Sequence, residues 1–166
     1  MCKCKRSKCI KKDPIVGSWT LSRTGGTPRD LTSQGTVTFN ADGTAIFNFA
    51  SNLGVPTPNR PVVLVSPPSA TWRKIDCHQY EFFAQSVVAF PTPDPDNTQL
   101  SLFPAGNVIR VTCEGKLILS ADGKTLNSIP GSDACKFYAS SDLNLLNPIA
   151  PQNTGETYYA VKVGVY

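Results

Sequence analysis

Two Ala-Asp-Gly triplets, at 41–43 and 121–123, each separate short runs in which apolar and polar residues alternate. Successive side chains of a strand point to opposite faces, so alternation marks a sheet with one buried side. Tight turns between such strands need positive φ, which glycine adopts without steric cost. Asp-Gly in this setting predicts two β-hairpins, 35–40 with 44–49 and 116–120 with 124–126.

The same alternation, bounded by Gly, Pro, Asn and Asp, predicts further strands at 15–23, 61–65, 70–75, 80–90 and 157–166. The 116–120 run extends back to residue 108 as one long strand, with Gly115 as a bulge. Residues 91–97 read as an exposed loop, with Pro91, Pro93 and Pro95 interleaved with Asp94 and Asp96. The only helical hint is a turn in 142–146. Eight to ten strands in sequential hairpins predict an all-β fold, an antiparallel up-and-down β-barrel, because closure removes exposed strand edges. A β-sandwich is the alternative. With 166 residues, the chain has the size of one domain.

Charge divides the chain at Asp13-Pro14. Six of the sixteen Lys and Arg residues, but none of the twelve acids, lie in residues 1–12; the body 13–166 carries a balance of −2 within a total of +4. The expected organisation is a basic, Cys/Lys-rich tail over 1–12 and a single barrel over 13–166. The body's balance argues against specific nucleic-acid binding, and attraction to phosphate or anionic lipid is expected at the tail. No apolar run approaches the roughly 18 residues of a membrane-spanning helix. No apolar stretch follows Lys3, Lys5 and Arg6, so a secretory signal is not expected and the predicted location is intracellular or within an assembly such as a virion.

Gly17-Ser18-Trp19 resembles the Gly-x-Trp start of the lipocalin-like (calycin) barrels. The run 35–44, Thr71-Trp72-Arg73-Lys74 followed by Tyr80-Glu81-Phe82-Phe83, and 118–123 extend the likeness over about residues 15 to 130. The resemblance implies a barrel whose base is packed by Trp19, and Trp72 is assigned to the same base packing. Two features of that superfamily are not found in the sequence: a Thr-Asp-Tyr motif, and a late arginine stacking on the tryptophan. The resemblance carries no ligand identity with it.

Alternation in the barrel strands points Val37, Phe39, Phe47, Phe49, Ile109, Val111, Leu117 and Leu119 to the lumen. These residues serve equally as a filled core or as the lining of a site for one small apolar molecule, and the pattern leaves both open. Strand 80–90 is apolar on both faces. Tyr80, Phe82, Ala84, Val88 and Phe90 lie on one face and Phe83, Val87 and Ala89 on the other, so one face needs a cover: the same chain for preference, otherwise a protein partner or a second copy.

Without a signal peptide a disulfide framework is not expected, and Cys113 reads as a small apolar core residue alternating with Val111. Cys2, Cys4 and Cys9 are candidates for a tether or cross-link. Acylation of Cys2 and Cys4 beside basic residues would give membrane attachment. Cys77-His78 could join the tail thiols in a zinc site only if the tail folded back, so no metal and no cofactor is assigned. Adjacent Cys77 and His78 point apart in a strand and form no dyad. Glu81 and Glu114 are the only acids considered for the barrel interior, and no catalytic residue is assigned. The leading expectation is a non-enzymatic lipocalin-like barrel binding a small hydrophobic ligand, tethered through its tail. The rival is a structural or assembly protein, such as a minor capsid or coat component of a large virus, with the Cys/Lys arm making contacts.

Overall fold

Both Asp-Gly turns close as the sequence requires. Gly43 and Gly123 have φ of 86° and 72°. Asp42 Oδ1 accepts from the Thr44 amide at 2.9 Å, and Asp122 Oδ1 accepts from the Lys124 amide at 3.1 Å and the Ser120 hydroxyl at 2.6 Å. Each aspartate satisfies donors that the turn leaves without a backbone partner.

The computed structural model describes residues 12–24, 34–49, 64–89, 108–149, 153–154 and 157–164. They form strands β1 (Gly17–Thr24), β2 (Gln34–Phe39), β3 (Thr44–Phe49), β4 (Leu64–Val65), β5 (Ser69–Lys74), β6 (Gln79–Ala89), β7 (Val108–Leu119), β8 (Thr125–Ser128), β9 (Ala134–Ala139), β10 (Asn153–Thr154) and β11 (Thr157–Lys162). Eight strands close a ring in the order β1-β2-β3-β5-β6-β7-β8-β11, with β11 returning to β1 and every neighbouring pair antiparallel. The fold is therefore an all-β, closed, up-and-down barrel, and the sandwich is excluded. Among the described residues no helix is long and apolar enough to cross a membrane.

Strand β9, which the sequence reading did not find, lies outside the ring, with the two-residue β10 on its far edge. Along one edge of β7, β8 pairs with residues 117–119 and β9 with residues 109–114. The place where the neighbour changes is Gly115. This glycine is not a bulge: β6 and β7 run in unbroken register from Gln79↔Ile118 through Phe82↔Gly115 to Ala89↔Val108. It is small because a neighbour needs the space. A Cβ there would stand 2.0 Å from Asp133 Oδ1 and 2.9 Å from the Phe82 ring.

Ile15 and Val16 do not extend the first strand. They turn across the barrel's end and are buried at 0% and 8% exposure. The main core takes in these two residues together with Trp19, Leu21, Val37, Phe39, Phe47, Tyr80, Phe82, Leu117, Leu119, Leu126 and Tyr158. The closing strand stops at Lys162, and Gly164 follows with φ of 77°.

Candidate functional site

The base of the barrel is held by several side-chain hydrogen bonds. Trp19 is fully buried, and its Nε1 donates to the Ile15 carbonyl at 2.8 Å. Lys162 reaches over the ring with Nζ 5.1 Å from its centre and donates to the Pro14 carbonyl at 2.5 Å. The sequence offered no late arginine to cover the tryptophan; a lysine of the last ring strand does so, held by cation–π attraction. Trp72 is half-buried. Its Nε1 donates to the Asn40 and Thr44 carbonyls, both at 3.0 Å, across the first Asp-Gly turn, and its ring meets Phe39 and Tyr80 edge-on at 6.1 and 5.8 Å.

Asp13 fastens the incoming chain to this base. Its carboxylate accepts from the Tyr80 hydroxyl at 2.6 Å, from the Ile15 amide at 3.2 Å and from Lys74 Nζ at 3.2 Å. Burial pushes the Asp13 carboxyl up, but these three donors outweigh it and hold the pKa below the ordinary value. Burial first, and then the adjacent carboxylate, push the Tyr80 phenol well above its ordinary value.

The linkage signs differ at the two ends of the pH scale. The lowered Asp13 stabilises the fold above the ordinary aspartate pKa of about 3.9, and its contribution disappears as pH falls through the lower native value. The raised Tyr80 stabilises below the ordinary tyrosine pKa of about 10, and its contribution disappears as pH rises beyond that. Urea midpoints measured against pH are therefore expected to fall at both extremes. Asp13→Asn should flatten the acid limb selectively; an unchanged acid limb in that variant would contradict the assignment.

Above the base, the lumen residues divide into two sets. Val37, Phe39, Phe47, Leu117 and Leu119 are buried in the main core, with Phe49 packed half-buried against it. Val37, Phe39, Phe47 and Leu117 enclose a space of about 10 Å³, the room of a single water at most. Ile109 and Val111 belong to a separate cluster with Val88, Cys113, Cys135 and Phe137, towards the end of β6 and β7 away from Trp19. Cys113 is not a reduced core thiol: it sits opposite Cys135 in the β7–β9 ladder and forms a disulfide with it. The expectation of no disulfide rested on the missing signal peptide, and with β9 unrecognised nothing in the sequence placed Cys135 beside Cys113. Cys77 lies half-buried at the tip between β5 and β6, while Cys2, Cys4, Cys9 and Phe90 lie outside the described residues.

The acids also change places. Glu81 pairs with Arg73 on the outer wall, and Glu114, on the outward-facing parity of β7, is exposed. The buried acid is Asp133, at 4% exposure, where the β8–β9 connection brings it against Gly115. Ser128 lies nearby in sequence, buried at 7%, and accepts the Tyr158 amide at 2.7 Å. Alternation could not reveal Asp133, because it precedes β9 rather than lying on a strand.

Outside the barrel, Thr71, Arg73, Glu81, Phe83, Glu114, Gly115, Lys116 and Ser132 border an open groove of about 470 Å³. Among the described residues Phe83 and Val87 stand at 43% and 37% exposure, while Ala89 on the same face is half-buried. Among the described residues no group of three or more His, Cys, Asp or Glu is placed to hold a metal ion. The chain matches no family model, no curated protein and no solved structure.

Proposed function

We propose that the chain is a non-enzymatic structural or assembly protein, a self-filled barrel that works through its outer surface. One contrast supports this reading. The space enclosed by Val37, Phe39, Phe47, Phe82 and Leu117 is about 10 Å³, whereas Ile118, Tyr159 and Val161 stand on the outer wall at 41%, 44% and 43% exposure. Ile118 on β7 and Tyr159 on β11 stand on either side of the same residue, Asn127 of β8, and Val161 lies two residues beyond Tyr159 on the same face of β11. A barrel of this size can hold either its own side chains or one small ligand, and the packed core around Trp19, Phe39 and Phe82 supports the first. Large exposed apolar groups gathered on one wall are a usual mark of a contact surface.

The expected result is concentration-dependent self-association of the full chain in light scattering after gel filtration, with or without reductant. Ile118→Lys with Tyr159→Lys should shift it to monomer without lowering its melting temperature. A wild-type monomer at every concentration, under both redox conditions, would end the assembly reading.

The second reading, binding of a small apolar molecule, draws support from the cluster of Ile109, Val111, Val88 and Phe137, which is detached from the main core. Native mass spectrometry separates the two: a co-purifying small mass supports the ligand, and oligomer masses without one support assembly.

A further inference from the structure

Strand β9 belongs to the sheet without belonging to the ring. The barrel closes through β8 and β11, so no pairing of the ring depends on β9. Its ring neighbour is β7, along residues 109–114. The main core draws no residue from β9, and of its six residues only Ala134 and Tyr138 are buried.

Much of what β9 contacts lies within its own hairpin. Tyr138 bridges to Pro148, the Ile149 amide donates to the Phe137 carbonyl at 2.8 Å, and Leu145 lies against Tyr138. Strand β10 pairs with Ala134 and Cys135. To the barrel this hairpin is joined by the ladder with β7, by Arg110 Nε donating to the Ser140 carbonyl at 3.2 Å, and by the Cys113–Cys135 bond. The two cysteines stand directly opposite each other, with Cα atoms 4.2 Å apart, and both are half-buried, within reach of a small reductant. On the same face of β9, Phe137 packs against Ile109 and Val111, the cluster separate from the main core.

We propose that the Cys113–Cys135 bond is a redox latch. Its reduction frees the β9–β10 hairpin from β7 while the ring stays closed, uncovering the edge of β7 and the side chains of Ile109 and Val111. The reductant is a dithiol. One of its thiolates attacks a sulfur of the bond and displaces the other as a thiolate. Its second thiol then resolves the mixed disulfide, leaving Cys113 and Cys135 as thiols and the reductant as a disulfide. Without the bond, β9 keeps a ladder whose hydrogen bonds each contribute little net, because water replaces them. The ring strands are held otherwise: β7 keeps its unbroken register with β6 and its pairing with β8. A bared strand edge is a template for pairing with another chain, so reduction changes what the barrel presents to its surroundings. The inference stands apart from the assembly reading, which rests on Ile118 and Tyr159.

Hydrogen exchange read by mass spectrometry on the full chain, oxidised and then reduced with dithiothreitol, tests the latch. Amides of 134–139 are expected to exchange at least about tenfold faster after reduction, with those of β1, β2 and β11 unchanged. An anilinonaphthalene sulfonate dye should brighten in the same samples as the apolar cluster is uncovered. Cys113→Ser/Cys135→Ser should match reduced wild type without any reductant, and adding reductant should change its β9 no further. That control separates this bond from the other four cysteines of the chain. If the double variant does not fold, the comparison of oxidised with reduced wild type decides alone. Unchanged protection of 134–139 on reduction overturns the proposal. Loss of protection across every strand overturns it as well, since the bond would then hold the whole barrel rather than one hairpin.

Discussion

Trp19→Ala is expected to destabilise the barrel by about 3–5 kcal/mol, the usual cost of removing a fully buried tryptophan. Three losses coincide at this position. The indole volume disappears from a core in which Trp19, Ile15 and Tyr80 are all at 0% exposure. The Ile15 carbonyl loses the donor that satisfies it at 2.8 Å. Lys162 loses the ring over which its ammonium sits. For a chain of this length the corresponding fall in melting temperature is about 10–15 °C. Trp19→Phe retains much of the volume but lacks the N–H, so it should recover part of the loss and leave about 1–3 kcal/mol for the orphaned carbonyl. Urea denaturation followed by circular dichroism measures both. A cost below about 1 kcal/mol for the alanine variant would show that the base is not packed as described.

Gly115→Ala is the second large effect, and it acts through crowding rather than through backbone conformation. The added methyl would fall 2.0 Å from Asp133 Oδ1 and 2.9 Å from the Phe82 ring, so one of them must move. Asp133 is short and buried, and Phe82 is pinned between Phe47 and Tyr158 at ring distances of 5.4 and 6.1 Å. Overpacking of this kind typically costs about 1–3 kcal/mol. The mechanism predicts strong coupling. In an Asp133→Gly background the same methyl meets only Phe82, so the penalty should shrink by about 1 kcal/mol or more in a double-mutant cycle. Additive effects would mean that Gly115 is required for some reason other than making room for Asp133.

Sequence legibility followed a physical boundary. The hairpins flanking Asp42-Gly43 and Asp122-Gly123 were readable because turn and strand are specified by adjacent residues. Val37, Phe39, Phe47, Leu117 and Leu119 were readable as interior because the alternation period is fixed by covalent geometry. Glu81 and Glu114 were considered for the interior, although each alternates with apolar neighbours that face inward, Tyr80 and Phe82 in one strand and Gly115 and Leu117 in the other. Asp133 could not be placed at all. It lies in a connection whose path depends on β9 leaving the ring, and the segment 134–139, with Lys136 inside it, alternates too weakly to announce a strand.

Alternation, turn chemistry and the charge division at Asp13 were determined by the sequence by itself, since each depends on residues a few positions apart. Closure of the ring was decided by tertiary structure. It rests on the pairing of β1 with β11, whose register joins Trp19 to Lys162, and on the contact that brings Asp13 to Tyr80. The Cys113–Cys135 bond and the exit of β9 belong with it. Local rules fix which side chains share a face. Which distant segments meet depends on how the whole sheet curls to bury that face, and that is a property of the assembled barrel rather than of any stretch of chain.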